Sequence, residues 1–320
     1  MRILFITASR IGDAVLSSGL LGQMVERYPD ARITVACGPA AAPLFEAVPN
    51  LEWVIALEKR SFGRHWQHLW RECFPYRWQA VIDLRSSAVP YFLFARERFS
   101  KRKNVDGMHV VEQMGKVMRL DQPPAPRLWT APEHWQAAEL WLPPGGPVLA
   151  VAPVANWRGK QWRAARFVEL IRRLTAADGI LPGARVAVFG SAEDRLQAQA
   201  VIASIPAGLR IDLVGGPDLL TALACLRRCA FFVGNDSGTM HLAAAAGIPT
   251  LGLFGPSKDE VYRPWGARAA VARTALTYDE LVGGPGYDHK TTGTLMDSLS
   301  VDAAEIAARE LWRRCQDEAA

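Results

Sequence analysis

Short apolar runs alternate with longer amphipathic stretches in both halves of the chain. In the first half, apolar runs predict strands at Ile3–Ile6, Arg32–Ala36, Trp53–Leu57 and Ala80–Asp83, with an amphipathic helix at Asp13–Tyr28. In the second half, a helix is predicted at Ala164–Thr175, and strands at Val148–Ala152, Arg185–Phe189, Phe231–Val233 and Thr250–Phe254. Strands that alternate with helices in this way predict parallel α/β sheets in both halves.

A proline-rich segment separates the two halves. Seven prolines lie between Asp121 and Pro147, around a helical piece at Pro132–Leu142, and proline both breaks helices and removes a strand donor. We therefore predict one domain over residues 1–130 and a second over residues 131–300. Gly283–Gly293 predicts a loop. The amphipathic pattern of Val301–Gln316 predicts a helix within residues 301–320. The pattern does not decide whether this helix crosses back to the first domain.

The composition is that of a soluble globular protein, since 50% of the 320 residues are hydrophobic and 22% are charged. No apolar run approaches the roughly 18 residues of a membrane span. Arg10, Gly12 and Asp13 interrupt the first apolar run before it could act as a signal sequence. The five cysteines are scattered without a C-x-x-C, so we expect reduced thiols rather than a zinc site. These features predict a cytoplasmic protein.

Positive charge is concentrated between Lys59 and Lys103, which we call the basic window. It holds eleven basic residues and only three acidic ones, although the net charge of the whole chain is only +5. Such a window indicates either a solvated basic face or a docking surface for a polyanion.

The basic window also contains an aromatic stripe. Trp66, Leu69, Trp70 and Cys73 follow the i, i+3, i+4, i+7 spacing of one helix face. Most such faces pack on a core, and the alternative is a helix at a membrane interface, where tryptophan and arginine are favoured. Aromatic residues among basic ones also occur in proteins that bind single-stranded nucleic acid. No nucleic-acid motif accompanies them here, so we expect no nucleic-acid partner.

The most informative segment is Phe231–Ser257. An apolar strand runs into Gly234–Thr239, a helix with His241 on its first turn follows, and a second strand ends at Gly255–Ser257. This order is how a parallel sheet builds a ligand site at the carboxyl ends of its strands. The free N–H groups of a helix N-terminus suit a phosphate or a developing anion. His241 could equally be a buried structural histidine.

Two common nucleotide-binding signatures are absent. The sequence contains no G-x-x-x-x-G-K-[ST], and no G-x-G-x-x-G follows the first strand. Instead Asp13 follows that strand at the predicted start of a helix. An aspartate there can cap the helix, or it can act as a general base that takes a proton from an attacking hydroxyl.

Three motifs, taken in order, resemble glycosyltransferase family 9, whose best-known members are ADP-heptose:lipopolysaccharide heptosyltransferases. The motifs are Ile11–Asp13, Gly159–Trp162 and Gly234–His241, the last extended through Gly247–Pro249 and Phe254–Pro256. The resemblance spans most of the chain. It implies a GT-B fold, in which two Rossmann-like α/β domains with parallel sheets face each other across a cleft.

The resemblance also implies the reaction and its partners. An inverting transferase of this kind uses no metal or other cofactor, binds its acceptor with the first domain and binds its nucleotide sugar with the second. The implied donor is a nucleotide-diphosphate sugar, ADP-heptose in particular. The implied acceptor is a phosphorylated glycolipid of the lipopolysaccharide inner core, which suggests peripheral contact with the cytoplasmic face of the inner membrane.

Residue roles follow from the same motifs. Asp13 matches the catalytic base, Lys160 the lysine that neutralises the departing diphosphate, and Asp236 the residue that contacts the donor sugar. Further donor contacts are implied for Asn156, Glu193, Ser237, Gly238, Thr239 and His241. The match of Glu193 to a ribose-binding acid is loose, because Asp194 is adjacent. Acceptor contacts are implied for Arg60 and Arg64. Alternatively, Lys160 is a solvated loop lysine.

Two other functions compete with sugar transfer. A sugar-nucleotide epimerase or dehydrogenase would carry a glycine fingerprint after the first strand and a Tyr-x-x-x-Lys pair, and neither is present. A GT-B protein that binds a nucleotide sugar or an anionic glycolipid without turnover stays open. The loop around Asn156 lacks the threonine or serine that family members often carry there.

Overall fold

The computed structural model describes residues 1–101, 105–284, 287–289 and 291–318. Parts of three predicted segments lie outside the described residues. They are Arg102 and Lys103 of the basic window, Pro285, Gly286 and Lys290 of the predicted loop, and Ala319 and Ala320 of the last segment. The chain divides into two compact units, Met1–Ala131 and Pro132–Ala320.

The first unit is built on a five-stranded parallel sheet. Its strands are β1 (Arg2–Ile6), β2 (Arg32–Cys37), β3 (Leu51–Ala56), β4 (Arg77–Asp83) and β5 (Phe94–Ser100), and its helices are α1 (Ile11–Arg27), α2 (Arg64–Cys73) and α3 (Val110–Val117). The strand order is β3-β2-β1-β4-β5, with every pair parallel. Central β1 is buried from Ile3 to Ile6, which is why it reads as an unbroken apolar run.

Strand β5 was missed in the sequence for a physical reason. It lies at the edge of the sheet, and its side chains alternate between exposed Phe94, Arg96 and Arg98 and partly buried neighbours. Charged residues at a sheet edge oppose unwanted pairing with other chains. They also remove the apolar run that predicts the other four strands of this sheet.

The aromatic stripe packs on the core, as the first of its interpretations predicts. Leu69 and Cys73 of α2 are buried in a cluster with Leu4, and Trp66 and Trp70 lie partly buried against the same cluster. The stripe therefore holds α2 against the first sheet.

The second unit contains a six-stranded parallel sheet. Its strands are β6 (Val148–Ala152), β7 (Arg185–Gly190), β8 (Arg210–Val214), β9 (Phe231–Asn235), β10 (Thr250–Phe254) and β11 (Ala269–Arg273). Its helices are α4 (Pro132–Trp141), α5 (Ala164–Thr175), α6 (Arg195–Ser204), α7 (Leu219–Leu226), α8 (Gly238–Ala245), α9 (Asp259–Tyr262), α10 (Tyr278–Val282) and α11 (Val301–Asp317). The order is β11-β10-β9-β6-β7-β8. The predicted parallel α/β architecture is thus found in both units.

Helix α11 packs within the second unit, against α5 and strands β10 and β11. Ala304, Ala308, Leu311 and Cys315 bury its apolar face in the core of that unit, and the Trp312 ring lies 6.2 Å from Phe231. All five cysteines are buried and form no disulfide. Within the described ranges, no helix combines the length and the apolar character needed to cross a bilayer.

Each sheet has one point at which the strand order reverses. The chain builds outward from β1 to β3 and then returns to place β4 on the other side of β1. Likewise it builds from β6 to β8 and then places β9 beside β6. Loops after the two strands at such a point diverge and leave a crevice at their carboxyl ends, where open α/β sheets bind ligands.

Candidate active site

The reversal point of the second sheet brings Lys160 and Asp236 together. Lys160 lies in the loop after β6, and Asp236 directly follows β9, the neighbouring strand. Lys160 Nζ donates to Asp236 Oδ2 at 2.5 Å, and the side chains are 23% and 6% exposed respectively. A lysine bound in this way differs from a solvated loop lysine. Its ammonium lies where a diphosphate at the strand ends would compete with the carboxylate.

Gly234 allows β9 to lie close to β6 at their carboxyl ends. A Cβ at this position would lie 2.9 Å from the carbonyl oxygen of Ala152 on β6 and 2.8 Å from the Phe232 ring. Backbone cannot move out of the way as a flexible side chain can. The motif therefore needs glycine at this position for packing alone.

Asn235 fixes the lysine loop at both of its ends. Its side chain is fully buried, accepts from the Trp162 N–H at 3.1 Å and donates to the Pro153 carbonyl at 2.9 Å. The Trp162 indole in turn donates to the Leu299 carbonyl at 3.0 Å. Lys160 is thus carried on a braced loop, and Asn235 is a positioning residue to which the sequence motif alone assigned no role.

Helix α8 begins directly after Asp236. Ser237 is its N-cap residue in an extended conformation and makes no side-chain cap hydrogen bond. The N–H groups of Gly238 and Thr239 belong to the first turn, where helix donors have no partner within the helix. His241 is 5% exposed, and its N–H donates to the Ser237 carbonyl at 3.4 Å. The helix start is therefore open to an anion.

Two buried serine hydroxyls at these strand ends lack hydrogen-bond partners among the described residues. They are Ser237 Oγ, after β9, and Ser257 Oγ, which follows β10 and belongs to a residue that is 7% exposed. Buried hydroxyls are normally satisfied, and these two follow paired strands, so a ligand or a water molecule at the strand ends would supply their partners. The sequence alone places Ser257 at the end of an apolar strand and assigns it no role.

Glu193 and Asn156 lie at the exposed margin of the same edge. Glu193 follows β7, the strand beside β6, and hydrogen bonds from its own N–H and from the Ser191 hydroxyl lower its pKa. Asp194 instead accepts from the Ser191 N–H at 2.9 Å and closes a capping box. Asp194 therefore has a structural role, which leaves Glu193 as the acidic residue that faces solvent. Asn156 is exposed in the lysine loop.

In the first unit, Asp13 lies at the reversal point after β1. It is the third residue of α1 and partly exposed, and the N-cap position is held by Arg10. Lys101 follows β5, and the negative charge of Asp13 acts on it. Burial lowers the pKa of Lys101, and the Asp13 charge partly opposes that shift. A carboxylate at this reversal point can act as a general base. Its place in the first turn of α1 also suits a purely structural aspartate.

Arg85, after β4, completes this charged edge. Its guanidinium donates to Ser9 Oγ at 2.9 Å and lies 5.3 Å from the Trp66 ring centroid. The turn that carries it is anchored by buried Asp83, which accepts from the Arg85 N–H at 2.8 Å. Burial raises the pKa of Asp83, against the hydrogen bonds that favour its carboxylate. Sequence reasoning placed Arg85 and Lys101 in the basic window but gave neither a role.

Arg60 and Arg64 lie in the segment that leads from β3 into α2. Both are exposed and flank a turn where Phe62 is 94% exposed with a φ of 54°. Strand β3 is separated from β1 by β2, which amounts to about 10 Å. The start of α2 nevertheless approaches Arg85, because Trp66, two residues beyond Arg64, lies 5.3 Å from the Arg85 guanidinium.

Comparison with known proteins agrees with this arrangement. The family model described as "Glycosyltransferase family 9 (heptosyltransferase)" matches residues 83–281. Lipopolysaccharide heptosyltransferase 2 of Salmonella typhimurium is 25% identical over 319 residues, and that of Escherichia coli K12 is 26% identical over 323 residues. Each alignment covers 88% of this chain and 90% of the relative.

Solved structures show the same fold. A family 9 glycosyltransferase from Veillonella parvula superposes with a TM-score of 0.79 at 19% identity, over 98% of this chain and 97% of its own. ADP-heptose lipopolysaccharide heptosyltransferase II of E. coli superposes with a TM-score of 0.73 at 22% identity, over 99% and 100%. These likenesses confirm the predicted GT-B fold. With the family model matching more than half of its residues, the chain belongs to glycosyltransferase family 9.

Proposed function

We propose that this protein transfers a heptose from ADP-heptose to a glycolipid acceptor of the lipopolysaccharide inner core, with inversion at the anomeric carbon. The observation that carries the proposal is the Lys160–Asp236 pair beside the open start of α8. Family membership and the heptosyltransferase 2 relatives support the choice of donor and acceptor.

The second unit binds the donor in this proposal. Lys160 leaves Asp236 and pairs with the diphosphate, while the α8 start offers the N–H groups of Gly238 and Thr239 and the hydroxyl of Ser237. Asp236 then accepts hydrogen bonds from the sugar hydroxyls. His241 contributes to the same phosphate edge, Glu193 accepts from the ribose, and Asn156 donates from the lysine loop. Preorganised positive groups act where charge develops, which is commonly the largest catalytic contribution.

The first unit supplies the base. Asp13 accepts the proton of the acceptor hydroxyl as that oxygen forms a bond to the anomeric carbon. The bond from that carbon to the diphosphate oxygen breaks on the opposite face, and ADP leaves with the electron pair. Arg85 and Lys101 at the same edge, with Arg60 and Arg64 farther along it, attract the acidic groups of the acceptor.

Metal independence is part of the proposal. Lys160 and the start of α8 can neutralise the departing diphosphate without a metal ion. One structural neighbour at a TM-score of 0.57, TibC of enterotoxigenic E. coli, is an iron-containing glycosyltransferase.

We also propose that this protein works at the cytoplasmic face of the inner membrane, where a lipid-linked acceptor would be met.

A donor screen with an Asp13 variant tests this function. Purified protein is given ADP-heptose, UDP-glucose or GDP-mannose together with inner-core acceptors that either lack heptose or carry one, and glycolipid product is measured. We expect transfer from ADP-heptose only. For Asp13→Asn we expect turnover to fall by about 10²–10⁴-fold with ADP affinity unchanged. A protein that binds ADP-heptose but makes no product would be the non-catalytic binding protein. Turnover of Asp13→Asn near the parent rate would remove Asp13 as the base.

A further inference from the structure

An exposed aromatic surface lies at the amino end of β5, the opposite end of that strand from Lys101. Tyr91, Phe92, Phe94 and Phe74 are 72%, 66%, 61% and 43% exposed. The rings of Phe74 and Phe94 lie 6.0 Å apart, and Tyr91 and Phe92 precede β5 in the same turn. We call these four side chains the aromatic patch. Contiguous exposed apolar surface on a soluble protein commonly marks an interaction site.

The turn that displays the patch is held in place by hydrogen bonds. Trp70 donates its indole N–H to the Phe92 carbonyl at 3.1 Å, and Arg98 donates to the carbonyls of Pro90 and Leu93 at 2.9 and 2.8 Å. Pro90 and Leu93 are buried, whereas Tyr91 and Phe92 between them point outward. Their exposure is therefore built into the turn.

Positive charge surrounds the patch. Arg71, Arg77 and Arg96 are exposed, and the Arg77 guanidinium lies 6.0 Å from the Phe94 ring centroid. Two acidic side chains lie near it. Glu97 is paired, since it contacts Arg27 at 3.3 Å and Tyr28 at 2.5 Å, whereas Glu72 is exposed and lies 3.8 Å from His68.

We propose that the aromatic patch is the surface by which this protein docks on an anionic lipid bilayer. Aromatic rings favour the headgroup region because they are apolar with a polarisable face. The surrounding guanidinium groups match the phosphates of anionic lipids. This places the membrane contact on the turn before β5 and the end of α2, whereas the tryptophan stripe of α2 serves the core.

The position of the patch fits a lipid-linked acceptor, and this step rests on the proposed function. Strand β5 extends from Phe94 at the patch to Ser100, followed by Lys101 under the influence of Asp13. Seven residues of strand span about 20 Å. A bilayer met at the patch would leave the Asp13 edge well beyond the headgroups, at the height of the sugars. Exposed Arg96 lies on the strand between them.

Vesicle binding tests the proposal. The full chain is sedimented with vesicles of phosphatidylcholine, with and without phosphatidylglycerol. For the double variant Tyr91→Ser/Phe92→Ser we expect at least about tenfold weaker partitioning into anionic vesicles. The matched control is Leu196→Ser, since Leu196 is 86% exposed in the second unit, and it should bind as the parent does. Tyr91→Ser alone serves as a second variant if the double variant fails to fold.

Arginine variants separate charge from ring insertion. For Arg71→Gln and Arg77→Gln we expect about fivefold weaker binding each, on anionic vesicles at low salt only. Parent-like vesicle binding by the double aromatic variant would overturn the proposal. The proposal would also be overturned if the parent protein were a dimer and the double aromatic variant a monomer with unchanged vesicle binding. A second copy of the chain would then cover the patch.

An activity measurement keeps this proposal distinct from the proposed function. Transfer to a deacylated, water-soluble acceptor should be the same for the parent and the Tyr91→Ser/Phe92→Ser variant. Loss of that transfer in a folded variant would assign the patch to acceptor recognition and overturn docking. Patch-dependent vesicle binding by a protein that transfers no heptose would instead leave docking intact and refute the proposed function.

Discussion

Replacing Lys160 with methionine removes one charge from a largely buried pair while keeping an unbranched side chain only one heavy atom shorter. Lys160 Nζ lies 2.5 Å from Asp236 Oδ2, and the Asp236 side chain is only 6% exposed. Breaking a fully buried pair by removing one partner typically costs about 3–5 kcal/mol. The Lys160 side chain is 23% exposed and water can reach the pair, so we expect a loss of about 2–3 kcal/mol of unfolding free energy.

The same substitution should weaken ADP binding. A hydrogen bond between a charged donor and a phosphate contributes about 1.5–3 kcal/mol. The parent protein must first separate Lys160 from Asp236, which offsets part of that gain. We therefore expect about tenfold weaker ADP affinity for Lys160→Met.

Asp236→Asn should act in the opposite direction on ADP. It removes the carboxylate that competes for Lys160, so ADP affinity should stay the same or rise by up to about tenfold. Heptose transfer should nevertheless fall, because Asp236 is proposed to hold the donor sugar. Opposite effects of two neighbouring substitutions on one ligand are hard to obtain from general damage to the fold.

Isothermal titration calorimetry with ADP and denaturant unfolding measure both effects. Arg158→Ala is the matched control, since Arg158 is an exposed basic residue in the same turn as Lys160. Its ADP affinity should lie within about twofold of the parent. The reasoning is refuted if Lys160→Met binds ADP like the parent, if Arg158→Ala weakens binding as much, or if Asp236→Asn loses ADP affinity.

Asn235→Ala removes the two buried hydrogen bonds that hold the ends of the lysine loop. It should lower the free energy of unfolding by about 2–3 kcal/mol and weaken ADP binding. Parent-like values in denaturant unfolding and calorimetry would show that the loop does not depend on Asn235. Incubation with EDTA followed by gel filtration should leave heptose transfer unchanged, and a loss that added divalent metal restores would contradict metal independence.

Much of the fold could be predicted because its central strands are buried on both faces. Ile3–Ile6 and Val148–Ala152 read as unbroken apolar runs for that reason. The edge strand β5 carries arginines at Arg96 and Arg98, so its strand character came only from pairing with β4. The local sequence pattern does not reveal a strand that can be recognised only by its pairing with a neighbouring strand.

The candidate site divides in the same way. Asp236–Thr239 and Lys160 could be predicted because they lie in contiguous motifs next to apolar strands. Asn235, Ser257, Arg85 and Lys101 gained roles only when the strand orders were known, since each depends on a neighbour distant in sequence. Acceptor contact by Arg60 and Arg64 stays a prediction, because exposed charge alone does not show what a side chain binds.

The anomeric configuration of the product tests the central claim most directly. The parent protein is incubated with ADP-heptose and an inner-core acceptor, and the one-bond coupling between the anomeric carbon of the transferred sugar and its proton is measured by NMR. Direct attack by a hydroxyl that Asp13 deprotonates gives the configuration opposite to that of the donor. A product that retains the donor configuration would contradict the account, because it requires a second displacement or a same-face attack.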